Sequence, residues 1–560
     1  MKKIDVRNFV KWKREDLNLV SLGFTLVELL AVIVILAIVL IIAVPGVLSI
    51  INKTRDSALD RQKDMIKEAS RLYVTSDNDV TWVGQDTKST AVTLDTLKTK
   101  GYLDQKIMDP KTKKEITCAK TVITKTGSKY DYDVTLCDQV NASPRLSSNM
   151  IPIVYKDNRW VKADYTNKNN AWYNYDNQQW ANMATVTEST RDKYRKADIG
   201  SEVKMEDINA MFVWIPRFKY KLFNVDGTIS PVGNSNLAEE MMIDVQLENV
   251  TVPKSKGTQN GEWLTHPAFT FGGQELEGFW VAKFESGYNQ GNVFTEEGAS
   301  KRNEISPNQF LSKPNIYSWR GITLSKAFYT SLNMKETGNS FGLTVVEDPH
   351  LIRTMEWGAM AYLANSKYGK AGNPTYSGVD KEVAINNSLF YTGCGGNSVS
   401  EPRADVCQNE YATEKGQAAS TTGNISGVYD ASGGANEFVG SVGIGENNEF
   451  EVLNSEFVKA DLIKYAKQGK YLDVYDYNPS YFNSSIGKLG DAMREVSPIV
   501  TNENNSLSGS WYNDRGTFPV YFAPFTYRGG SLELETKAGI MGFNISDGTA
   551  STMTFRVTLL

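Results

Sequence analysis

Residues 23–52 read GFTLVELLAVIVILAIVLIIAVPGVLSIIN. Between 24 and 51 only Thr25, Glu28 and Ser49 interrupt the apolar run. At about 1.5 Å of helical rise per residue, such a run can cross a hydrocarbon layer of about 30 Å. Ahead of it, Lys2, Lys3, Arg7, Lys11, Lys13 and Arg14 outweigh Asp5, Glu15 and Asp16, a bias that holds this end in the cytoplasm. A secretory signal peptide would be shorter and would end in a small-residue cleavage site, which Ala43-Val44-Pro45 does not supply. A plain membrane anchor fits the length but leaves Glu28 unexplained, because a charge at membrane depth is costly and marks a function.

Gly23-Phe24-Thr25-Leu26-Val27-Glu28 closely resembles the cleavage and methylation motif of type IV prepilins. The resemblance implies a leader over 1–23 and cutting by a prepilin peptidase between Gly23 and Phe24. It also implies N-methylation of the new amino terminus and assembly with other pilin subunits. The leader is longer than is usual in that family, and Ser21-Leu22 stands where a basic residue is common. By the same resemblance, Glu28 pairs with the Phe24 amino terminus of a neighbouring subunit. A carboxylate in a dry helical core needs such a cation. Pro45 removes a backbone hydrogen bond within the run, so it kinks or loosens a helix there. Prepilins carry a helix breaker at a similar place.

Working outward, Leu59, Met65, Ile66, Ala69, Leu72 and Tyr73 recur at helical steps among charged residues. One long helix is expected from about 25 to 75, membrane or filament core in its first half and packed on a small domain in its second. Residues 76–140 supply that domain. Thr93-Leu94-Asp95-Thr96-Leu97 begins a short helix that Gly101-Tyr102-Leu103 ends. Val122–Lys125 and Tyr130–Val134 flank Thr126-Gly127-Ser128 as a hairpin. Cys118 and Cys137 lie near its outer ends. Two arrangements fit them: a disulfide formed in an oxidising compartment, or two buried thiols.

The rest of the chain is longer than such a domain needs. The 560 residues predict two or three domains, and a hydrophobic content of 41% with 11% aromatics can fill sizeable cores. A net charge of −5 gives no reason to expect nucleic acid as the main partner. Residues 141–205 are dense in Asn, Tyr and Trp, as in Asp157-Asn158-Arg159-Trp160 and Ala171-Trp172-Tyr173-Asn174-Tyr175. They read as connecting or accessory strands and turns whose aromatic side chains are buried. From 206 to 560 many short strands alternate with Gly- and Asn-rich loops, and Thr354–Leu363 is the clear helix.

Five blocks in that part, taken in order, resemble the formylglycine-generating-enzyme or sulfatase-modifying-factor superfamily, whose fold is a C-type lectin variant. They are Gly278–Glu285, Leu351–Trp357, Gly427–Val439, Tyr527–Ser531 and Thr554–Val557. The expected fold class is therefore α+β: a long N-terminal pilin helix, a small β domain, and a large loop-rich C-type-lectin-like domain. Oxidase members of that superfamily hold copper with a cysteine pair in the C-terminal part. Here no cysteine follows Cys407, so no enzymatic activity is expected. Cys394 and Cys407 read as a loop disulfide.

Four cysteines and two histidines are poor material for a zinc site. No cofactor is expected, although oxygen ligands are abundant enough to admit calcium. Glu401-Pro402-Arg403 and Trp511-Tyr512-Asn513-Asp514 depart from the lectin calcium motifs by a cation and an inserted tyrosine. In display proteins of this fold, a ligand-binding face lies near the C-terminal end, which corresponds here to about 504–553. Trp511, Tyr512, Asn513, Asp514, Tyr521, Tyr527 and Arg528 are the candidate binding residues, the aromatic ones on condition that they lie outside. The resulting expectation is a minor pilin-like subunit, anchored by a single pass in the membrane before assembly and then exposed on a pilus or cell surface. It carries an adhesive head for an unknown extracellular ligand. The alternatives are a pseudopilin of a secretion or DNA-uptake machine, a membrane-tethered enzyme of the sulfatase-modifying type, and a plainly anchored surface protein.

Overall fold

A computed structural model describes most of residues 57–136 and 143–560, with breaks that include 226–241, 290–302, 397–405, 477–486 and 498–507. Gly23, Phe24, Glu28, Pro45, Cys118, Cys137 and Tyr521 lie outside the described residues, as do 25–56 of the expected helix. The chain divides into two compact units, Met1–Gln139 and Val140–Leu560.

In the first unit, residues 57–76 are helical. Leu59, Ile66, Ala69 and Tyr73 are buried, while Leu72 on the far side is 55% exposed. The buried stripe meets Val92, Leu94, Leu97, Leu103, Ile107 and Ile123 in one small core. Each fully buried aliphatic side chain there contributes roughly 1.5–3 kcal/mol. Strands β1 (Thr87–Thr93), β2 (Ala119–Thr126) and β3 (Lys129–Leu136) form an antiparallel sheet in sequence order. Gly127, with φ +61°, turns β2 into β3. Ser70 Oγ joins helix to sheet at 2.7 Å from Thr121 Oγ1.

The second unit is built on a seven-stranded antiparallel sheet. Strands β4 (Ile151–Lys156), β5 (Arg159–Lys162), β6 (Asn182–Val186) and β7 (Ile208–Pro216) occupy one side in the order β5-β4-β6-β7. Beyond β7 come Gly278–Ala282, Val557–Leu559 and His350–Leu351. Every residue of β7 (INAMFVWIP) is buried, as its unbroken apolar run requires of a strand covered on both faces. Residues within 141–205 thus supply three of the seven strands.

A six-stranded sheet carries Glu437–Phe438 between Phe525–Arg528 and Thr554–Phe555. Four of the five blocks singled out above thereby pair through these two sheets. The fifth, Leu351–Trp357, joins them through Leu351 and runs into the helix Thr354–Ala364, which is buried on every side. At their junction Arg556 Nε donates to Glu437 Oε2 at 2.9 Å and Nη1 to Ala282 O at 2.7 Å.

The expected α+β class with a long N-terminal helix is corrected by this arrangement. Among the described residues, strands in seven sheets dominate over seven helices, six of which have 11 residues or fewer. The helix expected from about 25 to 75 is described only over its last part, as residues 57–76, and the part expected to be lectin-like α+β is strand-built as well. The physical reason is that helical periodicity is confined to a few short spans. Elsewhere short β-branched and aromatic runs are cut by Gly, Asn and Asp at positive φ, which ends elements after a few residues. Among the described residues no helix is long and apolar enough to cross a membrane, and the run 24–51 lies outside them.

Candidate functional site

The Asn- and aromatic-rich stretch folds into the walls of a pocket. Asp157 and Asn158, at φ +51° and +59°, make the two-residue turn that folds β4 onto β5. Two consecutive left-handed residues match the twist of a hairpin. Asn167, also left-handed, accepts at Oδ1 from the backbone N–H groups of Trp172 (2.8 Å) and Tyr173 (3.0 Å). Asn174 and Gln179 then exchange two backbone hydrogen bonds, which closes a tight loop. These polar residues fix where the tryptophans go.

The pocket measures ≈ 280 Å³. Ile153, Val154 and Tyr155 of β4 line it with Trp160 of β5; Trp172 and Trp180 add aromatic wall, and Asn177, Gln179, Asn182, Asn424, Ile425 and Ser426 complete the lining. The three indole N–H groups are all engaged: Trp160 donates to Tyr411 Oη at 3.1 Å, Trp172 to Asn182 O at 2.8 Å and Trp180 to Tyr368 O at 2.7 Å. The three side chains are 4%, 1% and 1% exposed, so they are core residues that reach the pocket only at their edges. Burial pushes the Tyr155 hydroxyl above its ordinary pKa, so it stays neutral at physiological pH. Lys283 lies 5.4 Å from the Trp160 ring and donates to Ile425 O (2.7 Å) and Gly427 O (2.6 Å). Its pKa is well below normal because burial disfavours the ammonium.

Asn182 is buried beside the pocket. Its Nδ2 donates to Trp180 O at 3.0 Å and Ser426 O at 2.8 Å, and the residue is 2% exposed. Since both partners are carbonyls, the amide orientation is determined, and Oδ1 is left without a partner among the described residues.

The C-terminal candidates have a different setting. Trp511 is 1% exposed and stacks on Phe223 at 5.1 Å. It also forms one wall of a second pocket, ≈ 270 Å³, with Phe223, Met242 and the Lys221–Asp244 ion pair at 2.8 Å. Tyr512 is half-buried at φ +62° and donates from Oη to Asn365 Oδ1 at 2.6 Å. Asp514 is buried and accepts from Met541 N at 3.1 Å; burial raises its pKa well above the carboxylate range. Tyr527 is buried and accepts from Asn544 Nδ2 at 2.6 Å. Arg528 is fully buried and donates to Asp491 O (3.2 Å) and Ala492 O (2.9 Å).

Asn513 alone among the described candidates is exposed. The outward position required of the aromatic anchors is thus not met by Trp511 or Tyr527, which are packed into the core. The reason is long-range: their covering residues, such as Phe223 and Asn544, are invisible in local sequence. The aromatics of the 153–182 stretch were expected to be buried, and Trp160, Trp172, Tyr175 and Trp180 are; the small pocket beside them was not anticipated. The alternation of tryptophans with amides was the available signal.

Cys394 and Cys407 are joined by a disulfide with a Cα–Cα distance of 5.4 Å. Among the described residues no group of three or more His, Cys, Asp or Glu could hold a metal ion.

No family model and no curated protein matches this chain. Among solved structures, the Major Tropism Determinant U1 Variant aligns at 11% identity over 78% of this chain and 91% of that one, with a TM-score of 0.22. Nothing about fold or function follows from a superposition that loose.

Proposed function

We propose that this chain is a type IV pilin-like subunit, minor in stoichiometry, that displays a ligand-binding head at the cell surface. The observation that carries the reading is Gly23-Phe24-Thr25-Leu26-Val27-Glu28 standing directly before the apolar run that ends at Ile51. A prepilin peptidase cuts after Gly23, and the leader stays in the cytoplasm. The subunit is held in the membrane by its apolar segment until it joins other pilin subunits. Glu28 then meets the methylated Phe24 amino terminus of a neighbour, which neutralises a carboxylate that would otherwise be stranded in an apolar core. Pro45 loosens the segment locally. A large C-terminal unit on every subunit would crowd a filament, which supports a minor or tip position. The work of that unit is recognition, not catalysis.

The test is the mature amino terminus, read by mass spectrometry on protein from the native cell. The expected result is a chain starting at N-methylated Phe24, with the leader retained in Gly23→Ala. An intact Met1 in cells with active peptidase would sink the processing step and leave a membrane-anchored surface protein.

A further inference from the structure

We propose that Tyr317 and Tyr391 are an oxidative modification site, a phenol pair that hydrogen peroxide, acting through a haem peroxidase, joins into one dityrosine. This goes beyond the pilin reading and does not depend on processing at Gly23.

Backbone pairing brings the two residues together. Tyr317 and Tyr391 face each other in an antiparallel bridge. Next to it, Thr392 N donates to Ile316 O at 3.0 Å and Asn315 N to Thr392 O at 2.9 Å. Thr392 Oγ1 donates to Lys313 O at 2.7 Å, and Asn386 Nδ2 to Tyr391 O at 2.9 Å. The main chain on both sides is therefore held in register, and directly opposed residues carry their side chains side by side.

The rings follow. Their centroids are 4.7 Å apart with 33° between the planes, and Tyr391 Oη donates to Tyr317 Oη at 2.9 Å. Among the described residues no other tyrosine pair brings its ring centres this close. Tyr220 and Tyr362 come next at 5.1 Å, buried, with both hydroxyls donating to Glu495. Tyr329 and Tyr471 likewise donate to carboxylates, those of Asp461 at 2.6 Å and Asp348 at 2.8 Å. In the 317–391 pair, phenol meets phenol. With hydroxyls and ring centres both in contact, the carbons ortho to the two hydroxyls lie within van der Waals reach of each other. Those carbons carry much of the unpaired electron of a phenoxyl radical. Both residues are half-buried, so electrons can leave the pair while the fold holds the rings.

The hydrogen bond to Tyr317 and, after it, burial raise the Tyr391 pKa, so this phenol is neutral at physiological pH and must lose a proton with its electron. The peroxidase takes one electron and one proton from each phenol, the O–O bond of the peroxide breaks, and two waters form. The two radicals join ortho carbon to ortho carbon. The ring hydrogens at the new bond move to the oxygens, which restores both phenols. Two tyrosines and one hydrogen peroxide thus give one dityrosine and two waters. Held in contact, the pair couples within the chain faster than separate chains couple with each other. The link spans 74 positions and takes freedom from the unfolded chain, as a disulfide does.

The experiment treats the full chain in detergent with hydrogen peroxide and a haem peroxidase. The monomer fraction is then digested and read by mass spectrometry and dityrosine fluorescence. The expected product is a linked peptide pair holding Tyr317 and Tyr391, lighter than its two parts by two hydrogen atoms. Tyr317→Phe and Tyr391→Phe each keep the ring and remove one hydroxyl, and each should lose that product entirely. The proposal is overturned if the oxidised chain lacks the 317–391 peptide, if that link forms only between separate chains, or if either tyrosine links mainly to a third residue.

Discussion

Two aromatic stretches of the second unit bury their tryptophans by different means. Residues 153–182 interleave three tryptophans with many Asn, Asp and Gln, whereas 511–528 hold one tryptophan, one Asn, one Asp and a run rich in Tyr and Phe. In the first, amides and left-handed turns set tryptophans around an uncharged pocket with exposed and half-buried groups at its mouth. In the second, Trp511, Phe525, Tyr527 and Arg528 are packed inward while Phe522 is 55% exposed, and the pocket that Trp511 touches is rimmed by an ion pair. Distant chain covers the tryptophans of both stretches, with Trp172, Trp180 and Trp511 each 1% exposed; what differs is the rim, uncharged in the first and holding the Lys221–Asp244 pair in the second.

The sharpest way to break this comparison is Trp511→Ala. A large buried aromatic leaves a cavity, so stability should fall by about 3–5 kcal/mol in urea unfolding. If Trp511→Ala unfolds as the unmutated chain does, the ring does not anchor the second stretch. Arg528→Met comes next. It strands the carbonyls of Asp491 and Ala492 inside the unit, for an expected loss of about 2–4 kcal/mol by the same measurement.

The third test is pH. His266 belongs to the aromatic cluster next to Trp511: it lies 5.7 Å from Tyr362, which lies 5.6 Å from Phe223. Burial holds its pKa down at about 3. The unfolded chain takes up a proton as pH falls through about 6.5, whereas the folded chain does not until about 3. This contribution is present above the unfolded pKa and is lost on acidification, by about 2 kcal/mol between pH 6.5 and 5. His266→Asn keeps an acceptor for Ala268 N and removes the proton site, so the dependence of the unfolding midpoint on pH should flatten.

The smallest expected effect is on the stability of Asn177→Trp. An exposed substitution should shift unfolding by no more than about 0.5 kcal/mol. A large stability loss would show that Asn177 is structural.

Part of the fold was legible in the chain, and particular residues show why. The helical step of Leu59, Ile66, Ala69 and Tyr73 predicts the buried face of residues 57–76. Thr126-Gly127-Ser128 between two alternating runs predicts the β2–β3 hairpin. The long N-terminal helix and the α+β class were not borne out. Helical periodicity was extended from a local pattern to a whole architecture, whereas sheet pairing joins residues as far apart as Trp280 and Leu559.

The candidate site divides along the same line. Local sequence carries the Gly23-Phe24-Thr25-Leu26-Val27-Glu28 hexapeptide on which the pilin proposal rests, and it determined the helical face, the turns at Asp157-Asn158 and Asn167, and the richness in tryptophan and amide. Each of these depends on residues a few positions apart. Only the tertiary structure decided that Trp160 would donate to Tyr411, 251 residues on, and Trp180 to Tyr368, 188 residues on. It alone buried Asn182 and covered Trp511 and Arg528. Burial is a property of whatever packs on a side chain, and no short stretch contains its own cover.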